Sequence, residues 1–353
     1  MFSDRPFESR YDFSKLPPLP YTQHFIGNPM KKVALGIDIG GTNTDFAFVD
    51  SHGYFLAEDR ISTVNFPEPE VFVAAMWEKV KMLQKKVEEP IEVIGIGIGA
   101  PMGNINKGTI EHPADLVWKG ITPLADLIHE HTDWPVLVTN DANAAAVGEM
   151  VYGAAKGMKN FVVITLGTGV GSGIVIDGKL VYGQDGFAGE VGHTIVRPGR
   201  TNRECGCGRM GCLETYVSAT GLKRTLFKIM ADSIEPSELR DLSFNQMTSL
   251  NIAEAAERGD VLAIRAFEHT GEMLGLKLAD VVAHTNPEAI FLFGGLTLAK
   301  GLLMEPTLRA FEDNLLFIYK GKVKLLPSGL NSKNSAVLGA SSLAWDLFAK
   351  GQK

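Results

Sequence analysis

The chain has 353 residues, 45% hydrophobic and 21% charged, an ordinary balance for a globular protein with room for about two domains. Its formal net charge of −7 comes without a dense Lys/Arg block, which excludes a broad nucleic-acid footprint; the lysines of Lys81–Lys86 read as a solvated helix face. No run reaches the ~18 apolar residues of a membrane span, and the polar, proline-bearing start lacks an apolar signal core, so a cytoplasmic protein without membrane attachment is expected.

Residues 1–31 read as an N-terminal extension, whose aromatic side chains leave packing on a second subunit and disorder both open. Val33–Asp38 is apolar and runs into Asp38-Ile-Gly40-Gly41-Thr42-Asn43-Thr44, after which Asp45–Asp50 alternates. That pattern predicts strand, glycine turn and strand, a hairpin rather than a strand-to-helix turn. Phe55–Ile61 reads as a third strand. Glu68–Lys86 reads as a helix, with Val71, Ala75, Trp77, Val80 and Leu83 on one face. Ile91–Ala100 has the near-continuous apolar character of a buried strand. Pro135–Thr139 is a short strand, followed by Asn140-Asp141 and a helix over Ala142–Val151.

The pattern then recurs. Phe161–Leu166 leads into a second glycine turn, Gly167–Gly173, with strands at Ile174–Ile176 and Leu180–Tyr182. Two copies of one hairpin-plus-helix unit predict an α/β, duplicated two-lobed fold with an inter-lobe cleft. Helices are expected at Thr215–Met230, Asn251–Glu257, Val261–His284 and Ala336–Phe348, and a buried strand at Ala289–Phe293 ends in Gly294-Gly295. The lobes divide as 32–141 plus 336–353, a small α/β lobe, and 142–335, a large α/β lobe with the metal-binding loop.

All three cysteines lie in Cys205-Gly-Cys207-Gly-Arg-Met-Gly-Cys212. Clustered thiols point to Zn²⁺, which takes four ligands, and His193 is the nearest histidine to complete the set. A redox pair or free thiols are the alternatives, but one residue between Cys205 and Cys207 departs from the two of a redox motif. Four protein ligands leave no open position, so the zinc is expected to be structural. The turn after Asp38 has no Walker lysine. Its glycines allow backbone N–H groups to approach phosphate, Thr42 and Thr44 can add hydroxyls, and Asp38 can hold Mg²⁺ through water. A plain β-turn is the competing reading until the second turn makes a nucleotide clamp of the pair. Asn140-Asp141 sits where a strand ends and a helix begins, a position shared by ligand-binding carboxylates and by helix caps. Glu190 and His193 share a face if helical.

Together, Asp38-x-Gly-Gly-Thr-x-Thr, Asn140-Asp141-x-Asn143, the Gly167–Gly173 turn, Glu190-x-x-His193, Cys205-x-Cys207-x-x-x-x-Cys212-x-Glu214 and Gly294-Gly295 make a composite pattern. From about Lys32 onward the chain resembles the ROK family of sugar kinases and repressors, within the actin/hexokinase-like (ribonuclease H-like) ATPase fold. The resemblance implies ATP-dependent phosphorylation of a hexose at its C6 hydroxyl, with glucose first; N-acetylmannosamine or N-acetylglucosamine kinase and fructokinase are the alternatives. It implies Asp141 as general base, and Asn140, Glu190, His193 and Glu214 as sugar contacts. Asn104 or Asn106 is a further expected contact, with Gly99–Asn106 and Trp118 bordering the sugar. ATP and Mg²⁺ fall to Asp38, Gly40, Gly41, Thr42, Asn43, Thr44, Thr168, Gly169, Gly294 and Gly295, and Zn²⁺ to His193, Cys205, Cys207 and Cys212. A homodimer or higher homo-oligomer is implied as well. The chain departs from the pattern at Pro113-Ala114-Asp115-Leu116-Val117-Trp118, where many family kinases have Pro-Asn-Leu and then an aromatic, which leaves the sugar open. A repressor of this family would carry an N-terminal helix-turn-helix domain. The segment before the first strand is too short and proline-rich for one, so a kinase is expected.

Overall fold

The computed structural model describes residues 30–114, 116–200, 202–330 and 334–351; most of the N-terminal extension (residues 1–29) and Asp115 lie outside the described residues. The chain forms two compact units. Residues 30–144, Tyr182–Phe187 and 336–351 make the first, and Ala145–Val181 with Ala188–Ser335 make the second. The inclusion of Tyr182–Phe187 in the first unit has no signal in the sequence pattern.

The first unit begins with β1 (Lys31–Ile39), β2 (Asn43–Asp50) and β3 (Phe55–Ser62), then α1 (Pro69–Lys86) and β4 (Ile91–Gly99). A small antiparallel sheet follows, of β5 (Gly103–Asn104), β6 (Thr109–Glu111) and β7 (Ile121–Thr122), which the sequence did not announce. Next come α2 (Leu124–His129), β8 (Val136–Thr139) and α3 (Asp141–Val151), the helix within which the chain passes to the second unit. The main sheet has the order β3-β2-β1-β4-β8, with β1, β4 and β8 parallel and β2 antiparallel to its neighbours.

Strand alternation sends Val33, Leu35, Ile37 and Ile39 to one face, where they pack with Phe72, Met76, Val80 and Leu83 of α1. Pro69 opens that helix where its missing N–H has no partner to lose. The buried row starts at Phe72 and repeats every turn, so Val71, expected in the core, sits on the flank and is 56% exposed.

The second unit holds β9 (Phe161–Leu166), β10 (Val170–Ile176), β11 (Lys179–Leu180), α4 (Glu214–Val217), α5 (Ala219–Asp232), α6 (Ser249–Glu257) and α7 (Val261–Thr285). These are followed by β12 (Ala289–Phe293), α8 (Gly301–Asn314) and β13 (Lys324–Pro327). Its sheet order is β11-β10-β9-β12-β13, with β10 antiparallel to both neighbours and β12 parallel to both of its own. The two sheets therefore repeat one topology strand for strand, as the paired glycine turns predict, and the fold is actin/hexokinase-like. Val162, Ile164 and Leu166 pack with Leu222, Leu226, Phe267 and Leu274, while Phe161 and Val163 meet Ala145 and Ala146 of α3.

The helix expected over Thr215–Met230 is two helices. Ser218 is extended and its hydroxyl accepts the Gly221 N–H, capping α5, while the Ala219 N–H donates to Gly167 O at 2.9 Å. Helix α8 was not legible because Pro306 lies inside it and reads as a breaker. Pro306 is instead packed against Gly271 of α7, and Gly275 one turn on faces Thr307 and Phe311; neither glycine has room for a Cβ. Among the described residues no helix is long and apolar enough to cross a membrane.

The last helix, α9 (Ser335–Gly351), returns to the first unit. It rests on the second face of β1 and β4, where a Cβ on Gly36 would lie 2.4 Å from Val337 O and one on Gly97 only 1.9 Å from Ala340 O. Trp345 adds a hydrogen bond to Val49 O at 3.3 Å. Replacement Gly97→Ala is therefore expected to destabilise the first unit by about 1–3 kcal/mol through overpacking. Urea unfolding would show an earlier midpoint; an unchanged midpoint would mean the helix does not depend on this contact.

Candidate functional site

The parallel strands of the first unit end level with one another, Asp38 paired with Gly99 and Gly99 with Thr139. Ligands bind at such C-terminal strand ends in open α/β sheets. Gly99 leaves a gap there: a Cβ on it would lie 3.8 Å from Asp38 Oδ1 and 3.7 Å from Asp141 Cα. Burial first, then the charges of Asp141 and Asp45, push Asp38 up to about 7. Asp45 stands opposite it on β2 and is offset by Arg60, whose Nη2 donates to Asp45 Oδ2 at 2.9 Å. A half-buried carboxylate crowded by a second one fits a divalent cation, which would relieve both desolvation and repulsion.

At the head of α3 the cap falls to Asn140, next to the carboxylate of Asp141. Asn140 Oδ1 accepts the Asn143 N–H at 2.7 Å, so Asn140 caps the helix. Asp141 is exposed, and its Oδ1 accepts the Ala142 N–H at 2.8 Å, which fixes the carboxylate's rotation. In the turn before β2, Gly40 N–H donates to Asn43 O at 3.0 Å and Thr42 is exposed. Thr44, expected at phosphate, is fully buried, with its hydroxyl 2.8 Å from that of Thr63; it already lies in the β1–β2 register and pins the sheet.

Two further expected sugar residues are interior. Asn104 is fully buried and donates to Glu111 Oε1 at 3.2 Å and to Asp185 O at 2.8 Å. Both amide hydrogens are thus engaged, and they tie Tyr182–Phe187 to the small sheet. Trp118 is 2% exposed, donates to Phe66 O and packs on Phe72 at 4.9 Å, so it belongs to the core rather than to a sugar border.

In the second unit the equivalent turn is closed by Gly167 N–H donating to Gly169 O at 3.0 Å, and Thr168 is exposed. Gly294, at φ 109°, abuts the same strand end; a Cβ there would lie 2.5 Å from Leu166 O. Gly295 faces open space and starts a 3₁₀ turn, Gly295–Ala299. The two glycine turns thus lie side by side at the ends of β9 and β12.

Glu190 precedes a 3₁₀ turn, Val191–His193, a geometry that stacks positions i and i+3. Its Oε2 lies 3.9 Å from His193 Nε2. The turn is laid directly on β10: Ser172 donates to Gly189 O, and a Cβ on Gly192 would fall 2.1 Å from Val170 O. These glycines escaped the sequence reading, although their three-residue spacing around Glu190 marks them.

His193 Nδ1 lies 3.6 Å from Cys205 Sγ, Cys207 Sγ lies 3.7 Å from Cys212 Sγ, and ligand atoms of all four residues lie within 4.8 Å of one another. A zinc tetrahedron has S–S and S–N edges of about 3.6–3.8 Å, from bonds of about 2.3 and about 2.0 Å. The measured edges fit it. Gly211, at φ 79°, passes so close to Arg197 O that a Cβ would be 1.8 Å away, which closes the knuckle. Glu214 then joins the knuckle to the glycine turn, with Oε1 3.6 Å from Cys205 Sγ and Oε2 accepting the Val170 N–H at 2.9 Å.

A family model described as the ROK family matches residues 34–346. A glucokinase of Halalkalibacterium halodurans is 36% identical over 281 residues, which cover 79% of this chain and 84% of that one. A xylose repressor of Caldicellulosiruptor bescii is 30% identical, with 75% of this chain and 68% of the repressor covered. Among solved structures, a ROK family glucokinase from Streptomyces griseus in complex with glucose and AMPPNP is similar at a TM-score of 0.75 and 32% identity, covering 89% of this chain and 99% of that one.

Asp38 holds its proton more tightly when folded than when unfolded. In cation-free protein its stabilising contribution is therefore complete below its ordinary value of 3.8 and lost as pH rises through about 7. Asp38→Asn is expected to flatten this part of the stability–pH curve, measured by urea unfolding in EDTA. A slope identical to that of the parent would place the titration elsewhere.

Proposed function

The chain belongs to the ROK family, and we propose that it is a sugar kinase that transfers the γ-phosphoryl group of ATP to the C6 hydroxyl of glucose. The observation that carries this reading is the pair Asp38 and Asp141 flanking Gly99 at the strand ends, in a chain similar to glucokinases over most of its length.

Asp141 takes the proton of the sugar hydroxyl as that oxygen bonds to the γ-phosphorus. The bond from phosphorus to the β,γ-bridging oxygen breaks, and ADP leaves with that electron pair. The Ala142 N–H and the Asn140 cap hold Asp141 for this step. Asp38 is the residue that would hold Mg²⁺, and the bound ion would neutralise phosphate charge. Backbone N–H groups of Gly40, Gly41, Thr42 and Asn43 and of Thr168 and Gly169 serve phosphate oxygens, while Gly294 and Gly295 receive the adenosine.

Asn140 and Glu190 address sugar hydroxyls. His193 turns Nδ1 to the thiols, which leaves Nε2 on the side of Glu190 for the same task. An ionised carboxylate accepts up to about four hydrogen bonds, so Glu214 can take a sugar hydroxyl while keeping the Val170 N–H. Cys205, Cys207, Cys212 and His193 form the set to hold Zn²⁺, which supplies a fixed loop rather than a reacting water. A cytoplasmic location and a homo-oligomer complete the proposal and rest on the family resemblance alone. The second reading, a sugar-responsive repressor, is carried by the similarity to the xylose repressor.

A coupled assay of ADP release with glucose, mannose, fructose, N-acetylglucosamine and N-acetylmannosamine separates these readings. Glucose is expected to give the highest kcat/KM; tight sugar binding without turnover on any hexose would leave the repressor. Asp141→Asn is expected to lower kcat by about a hundred- to ten-thousand-fold while glucose still binds, and a variant of near-normal kcat would remove Asp141 from the base role. For Cys207→Ser, metal analysis and glucose titration are expected to show zinc and affinity falling together. Zinc lost at unchanged affinity would uncouple the knuckle from the sugar.

A further inference from the structure

The second unit contains a cavity of about 590 Å³ apart from the glycine turns. Four cations line it, Arg197, Arg203, Arg224 and Lys228, against one carboxylate, Asp232. Arg197 and Arg203 come from the segment around the knuckle, while Arg224 and Lys228 lie one turn apart on α5. Like charges at that spacing repel, and an anion between them would relieve the repulsion. Among the described residues none of the four forms an ion pair, with Asp232 or with any other carboxylate.

The hydrogen bonds on the wall narrow the ligand. Arg203 is fixed as a platform: Nη1 donates to Thr215 O at 2.7 Å, Nη2 donates to Thr225 Oγ1 at 2.9 Å, and the guanidinium lies 4.4 Å over the Tyr216 ring. Arg224 donates to Glu204 O at 2.9 Å. Asn202 donates to Pro198 O at 2.7 Å, and Thr225 donates to Gly221 O at 3.0 Å, so these two side chains are engaged inside the protein. What remains toward the cavity is mostly cationic: the heads of Arg197 and Lys228, both exposed, and the unused N–H groups of Arg224, beside the Tyr216 hydroxyl and the His269 ring. Such a wall recognises charge and oxygen acceptors, not a pattern of sugar hydroxyls. The ring of His269, which also lines the cavity, feels the same field: burial, then Arg203, Arg197 and Lys228, lower its pKa from 6.5.

We propose that this cavity is an anion site for a small molecule carrying at least two phosphate groups. Four cations against one carboxylate leave an excess that a single phosphate does not match, and the volume admits a larger anion. The site is distinct from the glycine turn, yet Arg224 also lines a smaller cavity, of about 190 Å³, that reaches Thr168 and Cys205. The proposal goes beyond the sugar-kinase reading and does not require it.

The test is calorimetric titration of inorganic pyrophosphate into the full chain, alone and after saturation with AMPPNP and Mg²⁺, compared with Arg197→Gln/Lys228→Gln. Pyrophosphate is expected to bind both forms of the parent, more weakly as salt rises. Affinity should fall at least about tenfold in the double variant, the loss of two charge-assisted contacts. Circular dichroism and an unchanged hexose kcat/KM would show that the variant is folded and its catalytic residues intact. Equal affinity in parent and variant would overturn the proposal, as would the absence of any binding heat. So would binding that AMPPNP abolishes, which would place the pyrophosphate in the nucleotide turn. If the chain proves to have no kinase activity, the comparison of parent and variant without AMPPNP still decides.

Discussion

Val170 is the residue on which the second unit's site is hung. Its N–H donates to Glu214, and its carbonyl lies under Gly192 with no space for a side chain between them. The first contact binds the cysteine knuckle to the glycine turn; the second seats the turn that carries Glu190 and His193. A hydrogen bond to a charged acceptor contributes about 1.5–3 kcal/mol, and here it also fixes the relative position of two loops. The break between α4 and α5 serves the same end, since Ala219 at the break donates to Gly167. The Gly167–Gly169 turn, the turn that carries Glu190 and His193, and the knuckle are therefore one body, and a distortion of any one reaches the others through bonds of known partners.

The first unit solves a different problem, that of keeping two carboxylates close. Gly99 supplies the gap, the aligned ends of β1, β4 and β8 supply the level, and the cap at Asn140 supplies the direction in which α3 leaves. Burial first, then repulsion from Asp141 and Asp45, raises the proton affinity of Asp38. Burial and repulsion of this kind both disfavour the ionised form of Asp38, so part of the cost of placing it there is met in folding.

Much of this was legible in the sequence, because glycine turns, strand alternation and clustered thiols are local signals. The repeated hairpin gave the duplicated sheets, and the thiol spacing gave the cage whose atoms the structure brings together. What failed depended on burial, which a local pattern does not contain. Thr44, Asn104 and Trp118 look like ligand-facing residues in a motif, yet each is interior with its polar group engaged. Pro306 reads as a breaker until Gly271 is known to lie against it. The cluster of cations around the large cavity was hidden by the net charge of −7, since its members are spread from Arg197 to Lys228 and meet only in the fold.

The strip of glycines under α9 has a consequence for how the chain is made. That helix follows the entire second unit in sequence but closes the first. Chains fold from the N-terminus as they are synthesised, domain by domain, and contacts distant in sequence form late. On the ribosome the second unit can complete its core while the first still has one bare sheet face, flat at Gly36 and Gly97 where no side chain stands up. On that order of synthesis this face of the first unit's sheet stays uncovered until α9 has been made.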